Sequence, residues 1–385
     1  MFSERTNWNL EPNRLSKALA DHRAAGRPLI DLTVSIPTQC GFQYEQEKIV
    51  HALANSAVLK YEPDPKGMLA AREAIVAYYA DSGVTVPYDD LILTASTSEA
   101  YSYVFRALCN PGDEILTPSP SYPLFGFLAD IHDVKLKRYP LFYDHGWHID
   151  FHALEQSVTS RTRGVIVVNP NNPTGHFCGM QDVARLTSLC SENALAIIAD
   201  EVFLDFALEP KQPESFAGNA GALTFTLNGL SKICGLPQMK LAWLVTSGPE
   251  DWKAQALARL EVIADTYLSP STPVQLAAPL FLQSRRKFQE QLMARVRKNL
   301  AEMDRQLADR KSCTRLALEG GWNAVLRVPA TRPDEDLAIE LLASRGVYVH
   351  PGSFYEFPAD GHLVVSLITP PSPFAVGVQS MLSMF

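Results

Sequence analysis

Short runs of β-branched and aliphatic residues recur along the middle of the chain, separated by stretches in which apolar residues have helical spacing. Between residues 90 and 250 these runs read "LILTAS", "DEILTPSPSY", "RGVIVVNP", "ALAIIADEVF", "ALTFTLNG" and "KLAWLVTS". Such alternation is typical of an α/β fold with a mostly parallel sheet and helices on both faces. Because these sheets bind ligands at the carboxyl ends of their strands, we expect the chemistry in the residues that follow each run.

The pattern changes after about residue 270. Six apolar residues there lie three or four positions apart and form one stripe: Phe288, Leu292, Val296, Leu300, Met303 and Leu307. The stripe predicts a long helix whose charged residues face water. The runs "GGWNAVLRV", "PDEDLAIELLASRG", "VYVHPGSF" and "HLVVSLI" then indicate a second, smaller α/β domain. We predict a large domain over residues 46–270 and a small domain over residues 271–385, with residues 1–45 packing on the small domain.

Composition and charge limit the kinds of partner that we expect for the chain. The 385 residues include 42 acidic and 34 basic side chains, a formal net charge of −8, which argues against nucleic acid as a partner. The first residues have no apolar signal core and no run of about 18 apolar residues occurs, so we expect a cytoplasmic protein without a membrane span. The six cysteines are scattered without a CxxC pair, so we expect reduced thiols and no metal site.

Two polar side chains follow strands that should be buried. Asp200 ends the run "LAIIAD", where a carboxylate needs a cation to offset its burial; a structural ion pair with an arginine would also satisfy it. Asn172 lies in "NPNNPTG" and can donate an amide hydrogen to a ligand, although Asn-Pro and Thr-Gly pairs also favour plain turns. Neither residue identifies a function by itself.

Two more features follow neighbouring strands. In "TASTSEAYSYVFRAL" the chain passes from strand to helix at Ser96, Thr97 and Ser98, the pattern of an anion site at a helix N-terminus or of an ordinary helix cap. Tyr122 in "SPSYPLF" offers a flat face to a ligand or a ring to the core. Together with the amide and the carboxylate, these features fit a ligand with a phosphate, a flat ring, a ring oxygen and a protonated ring nitrogen. That description matches pyridoxal phosphate, whose aldehyde needs a lysine.

Five stretches carry a family resemblance: "YEPDPKGMLAAREAIVAYY", "PGDEILTPSPSYPLF", "VVNPNNPTG", "ADEVF" and "GLSKICGLPQMKLAW". In order and spacing they resemble the class I/II aminotransferases of the fold-type I pyridoxal-phosphate superfamily, over essentially the whole chain. The resemblance implies a large domain with a mostly parallel seven-stranded sheet between helices, beside a smaller α/β domain. It also implies an aminotransferase that moves an amino group between an amino acid, or an amine, and a 2-oxo acid.

The resemblance implies a role for several residues. Lys232 corresponds to the lysine that forms a Schiff base with the cofactor and carries the Cα proton. Asp200 corresponds to the residue that keeps the ring nitrogen protonated, Asn172 to the donor to the ring oxygen and Tyr122 to the stacking aromatic. Tyr61 corresponds to a tyrosine that reaches the cofactor phosphate of the neighbouring subunit, which implies a homodimer with active sites at the subunit interface.

The chain departs from the family pattern at two cofactor positions. Lys240 stands eight residues after Lys232, where the family usually has an arginine on the phosphate. Lysine supplies charge without the bidentate fork of arginine, so we still expect it to contact the phosphate. Phe203 replaces a tyrosine whose hydroxyl usually bonds the ring oxygen, so that donor is lost.

A third departure concerns the substrate. The last strand of the family normally reads R-x-S-L, with the arginine on the substrate carboxylate, whereas this chain reads "HLVVSL" with Val364 in that place and has no arginine after Arg345. Either another donor holds the carboxylate or the substrate lacks one there. The candidate donors are a lysine, His362, Asn323 and the backbone amides near Ser35.

The missing arginine leaves a second function open, in which the same carbanion chemistry serves a β-lyase, a decarboxylase or a biosynthetic replacement or cyclisation enzyme. A third alternative, a cofactor-binding regulatory module, would need an N-terminal DNA-binding domain, and the first 45 residues offer neither the length nor a basic face. Trp322, His350 and Tyr355 are candidates for a substrate pocket but fit the core or the surface equally well.

Overall fold

The computed structural model describes residues 1–209 and 213–385. That part of the chain contains twelve α-helices: α1 Arg14–Ala24, α2 Gln46–Leu53, α3 Leu69–Ala80, α4 Thr97–Leu108, α5 Phe125–Ile131, α6 Phe151–Gln156, α7 Met180–Glu192, α8 Leu230–Ile233, α9 Glu250–Tyr267, α10 Thr272–Leu307, α11 Asp334–Arg345 and α12 Pro371–Leu382. It also contains 14 β-strands: β1 Ile30–Asp31, β2 Leu91–Thr94, β3 Glu114–Ser119, β4 Lys135–Tyr143, β5 Trp147–Ile149, β6 Thr162–Val168, β7 Ala196–Asp200, β8 Thr224–Gly229, β9 Ala242–Ser247, β10 Thr314–Arg315, β11 Asn323–Arg327, β12 Val347–Tyr348, β13 His350–Pro351 and β14 His362–Ser366. None of these helices is long and apolar enough to cross a membrane.

The largest sheet has eight strands among the described residues, in the order β2-β9-β8-β7-β6-β3-β4-β5. Strands β8, β7, β6, β3 and β4 are parallel neighbours, while β9 is antiparallel to β2 and β8, and β5 is antiparallel to β4. All six apolar runs that predicted strands lie in this sheet. The predicted count of seven strands was one too low, because β5, only three residues long, extends the sheet edge through a hairpin with β4.

The central strands are apolar along their whole length because helices cover both faces of the sheet. All five residues of β7 are buried. On one face Ile197 and Ala199 pack with Leu186 of α7, and on the other face Ile198 packs with Val104 of α4. Burial of each large aliphatic side chain contributes about 1.5–3 kcal/mol, so a polar residue in such a strand needs a specific reason to be there.

Helix α10 joins this core to a second core. Near its start, Ala277 and Phe281 pack in a cluster with side chains of α3 and β9. Further along, Phe288 and Val296 belong to a cluster that contains Trp322. The apolar stripe predicted for a long helix is therefore confirmed, and the helix contributes to both cores.

The C-terminal part of the chain forms smaller sheets. A four-stranded antiparallel sheet has the order β10-β11-β14-β13, and β1 pairs in parallel with β12. Leu15 of α1 and Leu32, which follows β1, share a cluster with Leu341 of α11. The N-terminal residues thus lie against C-terminal elements, while the domain boundaries at residues 45 and 270 stay a prediction.

The parallel strands bring their carboxyl ends to one edge of the large sheet. There β6 ends at Val168, β7 at Asp200 and β8 at Gly229. Residues from β11 and β14 of the four-stranded sheet line the same cleft. The cleft between the two sheets is therefore where the strand-end residues singled out in the sequence can meet.

Gly175, in the loop after β6, occupies a position that does not accommodate a side chain. Its φ of +69° is left-handed, and an added Cβ would overlap Leu318 and lie 2.5 Å from the carbonyl oxygen of Gly320. We expect Gly175→Ala to destabilise the protein by about 2–4 kcal/mol, measured by urea denaturation, because backbone strain and a clash add. Gly26→Ala is the matched control: its φ is +62° with no atom within 4 Å, so strain alone should cost about 1 kcal/mol. Equal losses in the two variants would contradict the clash.

Candidate active site

A cavity of about 480 Å³ opens at the carboxyl ends of β6, β7 and β8. Eight of the ten residues predicted for the site line it: Ser96, Thr97, Ser98, Tyr122, Asn172, Asp200, Phe203 and Lys232. These residues come from separate strands and loops, so the fold gathers groups that are far apart in the sequence. The volume is within the range of small-molecule and cofactor sites.

Asp200, the last residue of β7, is a buried acid that accepts two hydrogen bonds. Its Oδ2 accepts a hydrogen bond from the hydroxyl of Tyr101 at 3.1 Å and its Oδ1 accepts one from the backbone N–H of Val202 at 3.2 Å. Burial raises its pKa to about 6, and the charge of Lys232 acts in the opposite direction. No basic group among the described residues forms a salt bridge with it. A buried carboxyl of this kind fits a ligand that brings its own positive charge.

Lys232 lies in the short helix α8, directly after β8, in an aromatic environment. Its Nζ is 5.5 Å from the ring centre of Phe203 and 5.1 Å from that of Trp322. Burial lowers its pKa to about 8, opposed by the charge of Asp200. The neutral amine, which is the nucleophilic form, is therefore much better populated near neutral pH than in a lysine exposed to water.

The orientation of Asn172 is fixed by a residue that the sequence did not connect with it. Nδ2 of Asn323 donates a hydrogen bond to Oδ1 of Asn172 at 2.8 Å. With its oxygen occupied, Asn172 has its own Nδ2 available as a donor. Asn323 was predicted from the sequence as a candidate carboxylate donor. In the structure it positions the amide of Asn172, which is predicted to contact the cofactor's ring oxygen.

The three hydroxyl residues lie at the start of α4. Ser96 is the N-cap of the helix, and its Oγ accepts from the backbone N–H of Glu99 at 3.2 Å. The ordinary capping role is thus present, and the same helix N-terminus lines the cavity. Its partial positive charge and free backbone N–H groups favour an anionic group such as a phosphate.

Three residues proposed from the sequence lie outside the cavity lining of one chain. Tyr61 is 72% exposed, so within a single chain it contributes nothing to this cavity. Lys240 is exposed with a left-handed φ of +53°, near Pro237 on the cavity wall. The ring of His362 stacks on Phe357, which removes it from the candidates for binding the substrate carboxylate.

Tyr101 is a site residue that was not predicted from the sequence. It lies four residues after Thr97 on α4, so both side chains fall on the same face of the helix, and this spacing is the signal that could have found it. Tyr101 is buried and lines the cavity while it holds Asp200. Its role in the site is therefore to hold the carboxylate of Asp200 in place, and we assign it no proton transfer of its own.

We expect Tyr101→Phe to weaken cofactor retention about tenfold, because the lost hydrogen bond stabilises the charged form of Asp200. Equilibrium dialysis of the cofactor measures the loss. Tyr103→Phe, on the same helix and also buried, is the matched control because Tyr103 does not line the cavity. The same weakening in both variants would indicate a general effect on α4 and would contradict the role of Tyr101.

The donor set suits an aromatic cofactor with a cationic ring nitrogen and an anionic tail, and it lies at the strand ends of a mostly parallel sheet. Fold and site together define the class of a fold-type I pyridoxal-phosphate protein. The chain belongs to the family "Aminotransferase class I and II", whose sequence pattern matches residues 27–371. The resemblance found in the sequence is thereby confirmed, and with it the dependence on pyridoxal phosphate.

Individual relatives and structures agree with this assignment. The glutamate-pyruvate aminotransferase AlaA of Escherichia coli (strain K12) is 30% identical over 254 residues, which are 66% of this chain and 63% of AlaA. The match thus spans less than two thirds of that relative. The alanine aminotransferase of Mycobacterium tuberculosis (strain ATCC 25618 / H37Rv) is 26% identical over 354 residues, 88% of this chain and 81% of the relative. The solved alanine aminotransferase from Pyrococcus furiosus has a TM-score of 0.91 at 23% identity and covers 100% of this chain and 99% of its own, which confirms the predicted fold class.

Proposed function

We propose that the chain is an aminotransferase that moves an amino group between an amino acid, or an amine, and a 2-oxo acid. The observation that carries the proposal is the cavity shared by Lys232 and Asp200, where burial lowers the pKa of the lysine to about 8 and raises the pKa of the acid to about 6. Opposite shifts of a base and an acid in one cleft are typical of catalytic sites. Relatives named for transfer between glutamate and pyruvate, and for alanine, support the same reaction class.

In this proposal Lys232 and Asp200 have different tasks. When bound, pyridoxal phosphate supplies an aldehyde that condenses with amines and a ring that accepts electrons. The neutral Nζ of Lys232 would hold the cofactor and would also be the base that takes the proton from the substrate Cα. Asp200 would provide the negative charge that pairs with the ring nitrogen. Phe203 and Trp322 keep water away from Nζ, which maintains its lowered pKa.

The remaining cofactor contacts follow from the positions around the cavity. Ser96, Thr97 and Ser98 would hold the phosphate at the start of α4, and Tyr122 would lie against the ring. Lys240, exposed near the wall formed by Pro237, stays a proposed phosphate contact.

We propose that two copies of the chain pair, so that each Tyr61 completes the phosphate site of the other. The segment around it supports this, because Leu59 is 91% exposed and Tyr61 is 72% exposed. Large apolar side chains exposed side by side are typical of protein interfaces. A cytoplasmic location stays an expectation from the sequence.

A half-reaction tests the function. Purified holoenzyme is mixed with single amino acids and amines in the absence of a 2-oxo acid, and the visible absorption of the cofactor is followed. Stoichiometric conversion of the cofactor to its amine form, reversed by a 2-oxo acid, is the expected result.

A second candidate function is a β-lyase or a decarboxylase. It is favoured by Val364, which stands where the family has the arginine that binds the substrate carboxylate. Release of pyruvate or carbon dioxide without that conversion would support this candidate and contradict the aminotransferase.

A further inference from the structure

One wall of the cavity is formed by neighbouring strands of the four-stranded sheet. Val364 and Ser366 lie two residues apart on β14 and therefore face the same side. His350 on β13 is the register partner of Val364, and Asn323 on β11 is the register partner of Ser366. Partners across an antiparallel pair share a face, with Cβ atoms about 4.5–5.5 Å apart. All four residues line the cavity, so His350 and Ser366 flank the position where the family has its arginine.

The cavity has few groups that can carry positive charge. Among its described lining residues, only Lys232 and His350 can become cationic, and Asp200 is the acid. Lys232 is used by the cofactor. Val364 itself is buried in an apolar cluster with Leu316, so it offers no donor. Among the described lining residues of one chain, His350 is therefore the group that can offer positive charge to a substrate carboxylate on this wall.

The ring of His350 is held in place with one nitrogen unused. Its Nδ1 lies 3.1 Å from the hydroxyl of Tyr355, and the rings of Tyr348 and Phe354 lie beside it. Burial lowers its pKa, and the charge of Asp31 opposes that effect. In the tautomer in which Nδ1 accepts from the Tyr355 hydroxyl, and in the protonated ring, Nε2 carries a hydrogen, and the described residues offer no acceptor for it.

Ser366 provides a second unused donor on the same wall. It is 1% exposed, and its hydroxyl has no hydrogen-bond partner in the described part of the chain. A buried hydroxyl without a partner costs about 1–3 kcal/mol, so its place on the cavity wall points to a ligand oxygen as the missing partner.

We propose that His350 and Ser366 bind the carboxylate of the amino-acid substrate, the imidazole and the hydroxyl together replacing the arginine of the family. The inference rests on the proposed aminotransferase function and names how that site recognises an acid. A carboxylate beside the imidazole favours its protonated form. Binding should therefore strengthen as the pH falls through the pKa of His350, whereas an arginine would give no such dependence because it stays charged.

The experiment titrates the holoenzyme by calorimetry with 4-methylpentanoate and with the uncharged 4-methylpentanamide. One measurement is made at about pH 8 and the other at about pH 5.5, below the ordinary histidine pKa, because burial lowers the pKa of His350. We expect the wild type to bind the carboxylate about tenfold more tightly at the lower pH. His350→Gln should remove this dependence and weaken binding about 10–100-fold, and Ser366→Ala should weaken it about tenfold at both pH values. Binding of the amide should change little in either variant.

His362→Gln is the matched control, since His362 lies on the same strand as Val364 but outside the cavity. Asp200 and Lys232 are unchanged in every variant. Any pH dependence that they cause is therefore the same in His350→Gln and in His362→Gln. The inference is wrong if His350→Gln binds the carboxylate with the affinity and pH dependence of His362→Gln. If the wild type completes the half-reaction while His350→Gln keeps its KM for amino acids, only the role of His350 fails. A wild type that transfers no amino group rejects the proposed function instead, and the calorimetry still decides the carboxylate site.

Discussion

Lys232→Ala should lower kcat for amino transfer by at least about 10⁴-fold, because one substitution removes both the covalent hold on the cofactor and the base for the Cα proton. Lys232→Arg should be as inactive, since a guanidinium keeps its charge and does not supply a neutral amine. The half-reaction followed by stopped-flow absorbance measures the effect. Non-covalent contacts at Asp200 and the start of α4 remain, so we expect the variants to bind the cofactor, though less tightly.

Chemical trapping in the wild type identifies the lysine that binds the cofactor, and this result does not depend on how well a variant folds. Borohydride treatment of the wild-type holoenzyme, followed by peptide mass spectrometry, should place the reduced cofactor on Lys232 alone. Lys298→Ala is the matched control for Lys232→Ala, because Lys298 is exposed on α10 and does not line the cavity. A reduced adduct on Lys240, or activity of Lys232→Ala within tenfold of the wild type, would overturn the assignment of Lys232.

The strand-end residues could be predicted from the sequence because parallel strands leave their chemistry at one edge. Asp200 ends one apolar run and Asn172 follows another, so both polar side chains were expected at the edge where the parallel strands end. The two lysines of "GLSKICGLPQMK" differ in a way that local sequence did not show. Lys232 lies among aromatic rings in the cavity, whereas Lys240 is exposed with a left-handed backbone.

Contacts between distant parts of the chain could not be predicted in the same way. Asn323 meets Asn172 across 151 residues, and Tyr101 meets Asp200 across 99. The first contact depends on how the four-stranded sheet closes over the large sheet, and the second depends on how α4 packs on β7. The pairing of His350 with Val364 likewise depends on the register between β13 and β14. A shift of one residue in that register would place the side chains of one strand on the opposite face of the sheet.

Asp200→Asn should lower kcat/KM by about 10²–10⁴-fold, the effect of about 3–5 kcal/mol that is typical when one member of a buried charge pair is removed. Asparagine keeps the shape and a hydrogen bond but not the negative charge that the ring nitrogen requires. Glu201→Gln is the matched control: Glu201 is the next residue, buried outside the cavity lining, and burial raises its pKa to about 8. At pH 7 it is largely uncharged already, so the amide should change activity little.

The pH dependence of cofactor binding also distinguishes the proposed role of Asp200 from a purely structural one. If Asp200 only stabilised the fold, replacing it with asparagine would not remove a dependence on pH. Burial raises the pKa of Asp200 to about 6, and it has to ionise to pair with a protonated ring nitrogen. The affinity of the apoenzyme for pyridoxal phosphate should therefore rise as the pH increases through about 6 and level off above it. Asp200→Asn should bind more weakly and lose that rise, while Glu201→Gln should keep it. If the rise persists in Asp200→Asn, the ionisation belongs to another group, and Asp200 does not hold the ring nitrogen.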